Sequence, residues 1–218
     1  MFIGHNAVGF ASKRAAPEVS LGWLMAAPLF LDLIWPFFLL LGWEHVQVQP
    51  GATKFTPLIL DIPYSHSLVT SIGWSILYGG VYWLLKRNRR GAVVLAFGVF
   101  SHWILDALTH RPDMPLYPGS HTMIGLGLWN SVAGTFIVEG LMFVVGLWLY
   151  LKTTRAKDRT GQIALWSFVA FLLVIYISNY FGPPPSSQAI AYVSLLMWIE
   201  PVWCAWIDRH RSVVSGGS

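Results

Sequence analysis

Long apolar runs separated by short charged blocks organise this sequence from end to end. The runs Leu21 to Gly42, His66 to Leu85, Ala92 to Leu108, Ser131 to Leu151, Ile163 to Phe181 and Ala189 to Ile207 are each long enough to cross a hydrocarbon core of about 30 Å as a helix. Backbone amides in lipid must find partners within their own segment, so helix is the default form. The ten-residue alternating patterns of a membrane barrel are missing. The pattern predicts an all-α polytopic membrane protein of about six transmembrane helices, forming a single membrane domain over residues 1–218. The apolar stretch before Lys13 predicts a further short helix, half-inserted into the bilayer. No internal repeat is visible, which disfavours a transporter built from duplicated halves.

Charge sets the orientation of these elements. Lys13-Arg14, then Lys86 to Arg90, then Lys152 with Arg155, Lys157 and Arg159, and last Arg209 with Arg211 make every second loop basic. Under the positive-inside rule these loops and both termini are cytoplasmic. Glu44 to Ser65, His110 to Asn130 and Gly182 to Gln188 then lie on the far side. Turn formers at Pro50-Gly51, Ile62-Pro63, Arg111-Pro112, Pro118-Gly119 and Pro183-Pro184-Pro185 predict compact loops there. Lys13-Arg14 follow the first apolar stretch, the reverse of a secretory signal, so that segment is expected to be retained. Residues 212–218, ending Ser-Gly-Gly-Ser, read as a flexible tail.

Composition agrees with the pattern: 55% hydrophobic residues stand against 11% charged, where soluble chains carry roughly 25% charged. The net charge of +4 is accounted for by the topological loops. No basic patch interleaves with exposed aromatics, so nucleic acid is not an expected partner. The single cysteine, Cys204, allows neither an internal disulfide nor a thiolate zinc site, and any metal must rest on His and carboxylate. Most of the twelve tryptophans, Trp23, Trp43, Trp103, Trp129 and Trp206 among them, sit near span ends, as an interfacial aromatic belt requires.

Ionisable residues within spans cost on the order of 2.5 to 3.5 kcal/mol each and mark candidate sites. Asp32 lies in the first long span, His102 and Asp106 in the third and Glu139 in the fourth, while His66 opens the second and His110 closes the third. At about 1.5 Å per residue, His102 lies roughly 18 Å in from Arg90, Glu139 roughly 20 Å from Lys152, Asp32 about 17 Å from Leu21, and His5 roughly 14 Å from Arg14. These four share one level near the midplane. His102, Asp106 and His110 follow one another at i+4 steps and project from one helix face. Taken singly, each residue is also accounted for as an interhelical hydrogen-bond partner, Glu139 with His102 or Thr135 in particular. Together they describe a funnel of imidazole and carboxylate from the midplane to the far side, the ligand mix of zinc or manganese sites.

Five short segments carry a resemblance. Gly4-His5, Leu31-Asp32, Tyr64-Ser65-His66-Ser67, Ser101-His102-Trp103-Ile104-Leu105-Asp106 and Met114-Pro115-Leu116-Tyr117-Pro118 resemble, in order and rough spacing, the YdjM-like inner-membrane metal-dependent hydrolases. The resemblance covers roughly residues 1 to 120. It implies a bacterial inner-membrane location, His5, Asp32, His66, His102 and Asp106 as metal ligands, and a distant relation to zinc phospholipase C and P1 nuclease, enzymes that cleave phosphoesters. The chain departs from the pattern at Asp61-Ile62, where the family carries His-Arg, and in having Asp32 as the sole carboxylate of the segment that reads Pro-Asp-x-Asp in the family. Both departures bear on metal count and substrate.

The resulting expectation is a hydrolase with one or more divalent ions, zinc or else manganese, acting on a phosphoester of a membrane lipid or lipid-linked substrate at the outer leaflet. Arg111 is the candidate for holding phosphate oxygens, and Asp106 or Asp61 for general base. Two other readings use the same residues: a proton-coupled carrier, and a non-catalytic scaffold joined by polar contacts between helices.

Overall fold

The computed structural model describes residues 1–183 and 185–214. A short helix, α1 (Ile3–Ala15), precedes five long ones: α2 (Leu21–Leu40), α3 (Leu68–Lys86), α4 (Arg89–Thr109), α5 (Val132–Thr153) and α6 (Arg159–Phe181). A sixth span, Ser187–Arg209, is built from α7 (Ser187–Ser194), a tighter turn at Leu195–Trp198 and α8 (Ile199–Arg209). All six spans are long and apolar enough to cross a membrane. Ile76, Phe97, Leu141, Val144 and Ile163 are among the large apolar side chains that face outward, as a bilayer-covered surface requires.

Local chemistry sets where these helices begin. The side chains of Ser20, Ser67, Asn88, Ser131 and Asp158 accept hydrogen bonds from backbone N–H groups in the first turns of α2, α3, α4, α5 and α6, satisfying donors that have no partner within the helix. Asn88 and Asp158 start α4 and α6 inside the basic blocks, three and four residues before the apolar runs begin at Ala92 and Ile163. A hydropathy boundary marks where charge stops, whereas the helix boundary follows the cap. Arg87, in the left-handed region with φ 55°, turns the chain between α3 and α4.

α1 lies against α5, α2 and α4, and its close approach to α5 depends on glycine. A Cβ at Gly146 would stand 2.3 Å from the carbonyl oxygen of Ala7 and 2.8 Å from its Cα. Polar pairs tie α1 to α8: Asn6 Nδ2 donates to Glu200 Oε2 at 2.7 Å, and Lys13 Nζ donates to Asp208 Oδ1 at 2.7 Å. Lys13, expected as an exposed topological charge, is buried and also donates to the Val19 carbonyl. Desolvation is offset there by two acceptors at hydrogen-bond distance.

Three short antiparallel strand pairs complete the fold. β1 (His45–Val48) pairs antiparallel with β2 (Leu58–Asp61), β3 (Met114–Pro115) with β4 (Met123–Ile124), and β5 (Thr154–Ala156) with β6 (Arg211–Val213). The connection between β1 and β2 folds back over the bundle. Phe55 at its tip packs on Phe136, Tyr176 and Tyr180 and donates its N–H to the Trp129 carbonyl. The third strand pair corrects the start of the expected tail. Ser212 and Val213 are paired strand residues, held there because the buried Arg211 guanidinium donates to Thr154 Oγ1, the Thr154 carbonyl and the Gly161 carbonyl. Residues 215–218 of that tail, and Pro184 of the expected proline turn, lie outside the described residues.

Gly146→Ala is expected to destabilise the fold by about 1–3 kcal/mol, the usual cost of overpacking, read as a lower melting temperature in detergent. Gly140→Ala on the same helix, where a Cβ meets nothing within 4 Å, is the control and should not lower it.

Candidate metal centre

Four helices bring the polar residues together. α1 carries His5, α2 carries Asp32 one turn from each of Pro28 and Pro36, and α4 carries His102 and Asp106 with His110 just past its end. His66 stands immediately before α3, whose first turn is capped by Ser67. Proline shapes α2 at this level: Pro36 has no N–H to give the Asp32 carbonyl, and Pro28 has none for the Leu24 carbonyl. His5, His66, His102, Asp106 and His110 are buried, and Asp32 is partly open.

Two imidazole nitrogens face each other, with His66 Nε2 3.2 Å from His102 Nε2. Asp32 Oδ1 lies 3.4 Å from the first and 3.8 Å from the second, and Asp106 Oδ2 lies 3.9 Å and 3.0 Å away respectively. Each of these five separations is within about 0.6 Å of the roughly 3.3 Å between two ligands that share one ion at about 2.0 Å.

The hydrogen-bond network assigns the tautomers. His102 Nδ1 donates to the Pro28 carbonyl at 2.7 Å. Ser65 Oγ gives its only proton to Glu44 Oε2 at 2.7 Å, so at 2.5 Å from His66 Nδ1 it can only accept. Both rings, when neutral, therefore turn an unprotonated Nε2 toward the same point as the two carboxylates. Lone pairs converging without a proton between them repel unless a cation lies among them, and imidazoles held through their other nitrogen are the usual form of metal-ligating histidine. The residues present fit a divalent ion. Two groups, His5 with Asp32 and His102, and His66 with His102 and Asp106, each offer ligand atoms that lie within 4.8 Å of one another.

The second oxygen of Asp106 faces α1. Its Oδ1 lies 3.0 Å from His5 Nε2 and also accepts from the amino group of Met1. The His5 ring stacks on that of His102, centroids 3.8 Å apart and planes within 1°, and its Nδ1 has no partner among the described residues. His110 Nε2 stands 3.6 Å from Asp106 Oδ2, while its Nδ1 donates to Asp113 Oδ1 at 3.1 Å. Its ring packs on Trp129.

The other sequence candidates lie elsewhere. Glu139 Oε2 accepts from the backbone N–H of Phe2 and Gly4 at 2.8 and 3.2 Å, so it caps α1, whose own N-cap Phe2 offers no side-chain acceptor. It does not pair with His102 or Thr135, whose hydroxyl donates to the Leu128 and Ser131 carbonyls. Asp61 is exposed on β2, 3.7 Å from His45, and is not brought to the cluster, because the hairpin register turns it outward. Arg111 reaches toward Asp113 at 3.9 Å. Three residues close to the site went unread in the sequence: Glu44, Ser65 and Asp113. Asp113 had a signal, three residues after His110. Glu44 had none, since an acidic residue at a span boundary reads as a loop.

A cavity of about 290 Å³ ends on Asp32, His66, Asp106 and His110. Its other walls are largely apolar, with Phe2, Trp35, Phe55, Leu60, Trp129 and Met197 among them, and none of its lining residues is Lys or Arg.

A family model described as YdjM inner membrane protein matches residues 63–182. That is more than half of the chain, and the chain belongs to this family. Together with the six apolar spans, membership makes it an integral inner-membrane protein. The match takes in His66, His102, Asp106, His110 and Glu139, and overlaps the resemblance drawn from residues 1 to 120 only from residue 63 onward. No curated protein and no solved structure matches.

Glu139→Ala strands two amides at the start of α1 and is expected to destabilise the protein by about 2 kcal/mol or more, seen as a lower melting temperature. Glu139→Gln, which keeps an acceptor oxygen, should lose less.

Proposed function

We propose that this member of the YdjM inner membrane protein family is a metal-dependent hydrolase of phosphoesters on a lipid or lipid-linked substrate. The observation that carries this reading is the convergence of two imidazole Nε2 atoms and two carboxylates at the polar end of an apolar-walled cavity. His66, His102, Asp32 and Asp106 would hold the ion, with His5 beside them. The donor set of imidazole and carboxylate favours zinc, with manganese as the alternative. When bound, such an ion supplies Lewis acidity toward water and toward a phosphoryl oxygen.

The remaining work falls to the chain's own groups. His110 has its Nδ1 proton on Asp113 and lines the cavity, which leaves Nε2 as a proton acceptor beside the ion position. This role passes to His110 from Asp61, which lies too far out, and from Asp106, whose oxygens face the other ligands. With no Lys or Arg in the lining, the charge of a phosphate is left for the ion to balance, in place of Arg111. Apolar walls suit an acyl or prenyl segment next to the polar head. A volume of about 290 Å³ lies at the small end of ligand sites, which suits a head group and part of one chain better than a whole two-chain lipid.

Detergent-purified protein is expected to carry near-stoichiometric zinc or manganese by elemental mass spectrometry, lost in His102→Ala and Asp106→Ala, and to release product from a short-chain phospholipid or prenyl phosphate. A well-folded protein without metal after reconstitution would move the reading to a proton-coupled carrier.

The proposal also places both termini in the cytoplasm, with the cavity toward the outer leaflet. In a Cys204→Ser background, Lys54→Cys should react with a membrane-impermeant maleimide in intact cells and Arg155→Cys should not. The reverse result would put the cavity on the cytoplasmic side.

A further inference from the structure

We infer that Glu44 is a positioning residue: acting through Ser65, it holds the His66 imidazole with its proton on Nδ1 and its Nε2 free to ligate. The inference deepens the metal-site reading and rests on it for its consequence, while the tautomer itself can be measured without any metal.

Glu44 is 1% exposed and lies in the turn between α2 and β1. Its carboxylate makes three hydrogen bonds, and in all three it accepts. Tyr64 N and Ser65 N donate to Oε1 at 2.8 and 2.7 Å, and Ser65 Oγ donates to Oε2 at 2.7 Å. All three donors belong to the two residues directly before His66. Among the described residues no Lys, Arg or His forms an ion pair with Glu44. An unpaired buried carboxylate is costly to keep, and it is tolerated here because every partner needs an acceptor.

The direction of the relay follows from proton counting. A serine hydroxyl has one proton. Given to Glu44, it leaves Ser65 Oγ able only to accept from His66 Nδ1, 2.5 Å away, so the neutral ring has its lone pair on Nε2, facing His102 and Asp32. Glutamine at position 44 would reverse this. Its carbonyl oxygen must stay at the two backbone N–H groups, which places its NH₂ against Ser65 Oγ as a donor. The serine proton then turns toward His66 Nδ1, and the ring's own proton moves to Nε2, where it blocks the ion position. Orientation of a ligating imidazole by a carboxylate through an intermediate group typically contributes 10–100-fold in metal affinity.

The test is ¹⁵N NMR of the full chain labelled at histidine, with His66 assigned by difference from His66→Gln, together with zinc titration of the same samples. The metal-free parent should show His66 protonated at Nδ1. Glu44→Gln should show it protonated at Nε2, with zinc affinity reduced about 10–100-fold. Ser65→Ala, a second route to the same end if Glu44→Gln folds poorly, should lose the tautomer preference, and Ser65→Thr should restore it. A His66 that stays protonated at Nδ1 in both Glu44→Gln and Ser65→Ala would overturn the inference while leaving the metal reading intact. A tautomer that switches in a protein whose parent takes up no zinc would support the relay and remove the metal reading.

Discussion

Two carboxylates and four imidazoles within a few ångströms of one another, inside a bundle whose outer surface is apolar, make up the constraint around which this protein is built. Like lone pairs repel strongly where the dielectric is low. Such a cluster persists only if each group is held from behind, and the structure shows how: the Pro28 carbonyl holds His102, Ser65 holds His66, and Asp113 holds His110. In each case Nδ1 is engaged and Nε2 points inward. The helices supply the scaffold, and these outer contacts decide which atoms face the centre.

α1 is the most demanding element in the design. At 13 residues it is too short to span a bilayer, and it runs through the middle of the bundle with His5, Asn6 and Lys13 all buried. The buried polar side chains and first amides along it meet other elements: Glu139 of α5 caps its first amides, Asp106 of α4 meets His5, Glu200 of α8 meets Asn6, and Asp208 of α8 meets Lys13. Close packing against Gly146 leaves little room for the helix to shift and fixes the height of His5. Stability and site geometry are therefore coupled through one short helix.

The loops at the cavity end of the bundle do more than connect. The β1–β2 hairpin closes over the cavity through Phe55, and the turn before it delivers Glu44 beneath Tyr64 and Ser65. One loop thus shapes the wall that a substrate would meet and also supports a candidate ligand from outside.

Membrane class and the number and approximate limits of the spans were legible in the sequence, because lipid imposes a length and a polarity on each helix independently of its neighbours. The i, i+4 spacing of His102, Asp106 and His110 likewise needs only helical geometry. What the linear pattern could not carry was pairing between elements. Depth placed Glu139 level with His102, yet its partners are the amides of Phe2 and Gly4, and the azimuth of one helix against another is set by packing. Asp61 drew notice by standing where the family carries His-Arg, and strand register turned it away. Glu44 gave no local sign, and Ser65 none beyond its place in the Tyr64–Ser67 segment, since their roles come from a hydrogen bond closed across 21 residues. The sequence alone determined the spans and singled out most of the ionisable residues of the cluster. Only the tertiary structure decided which atoms they turn to one another, because that depends on helix rotation and on the direction of each hydrogen bond.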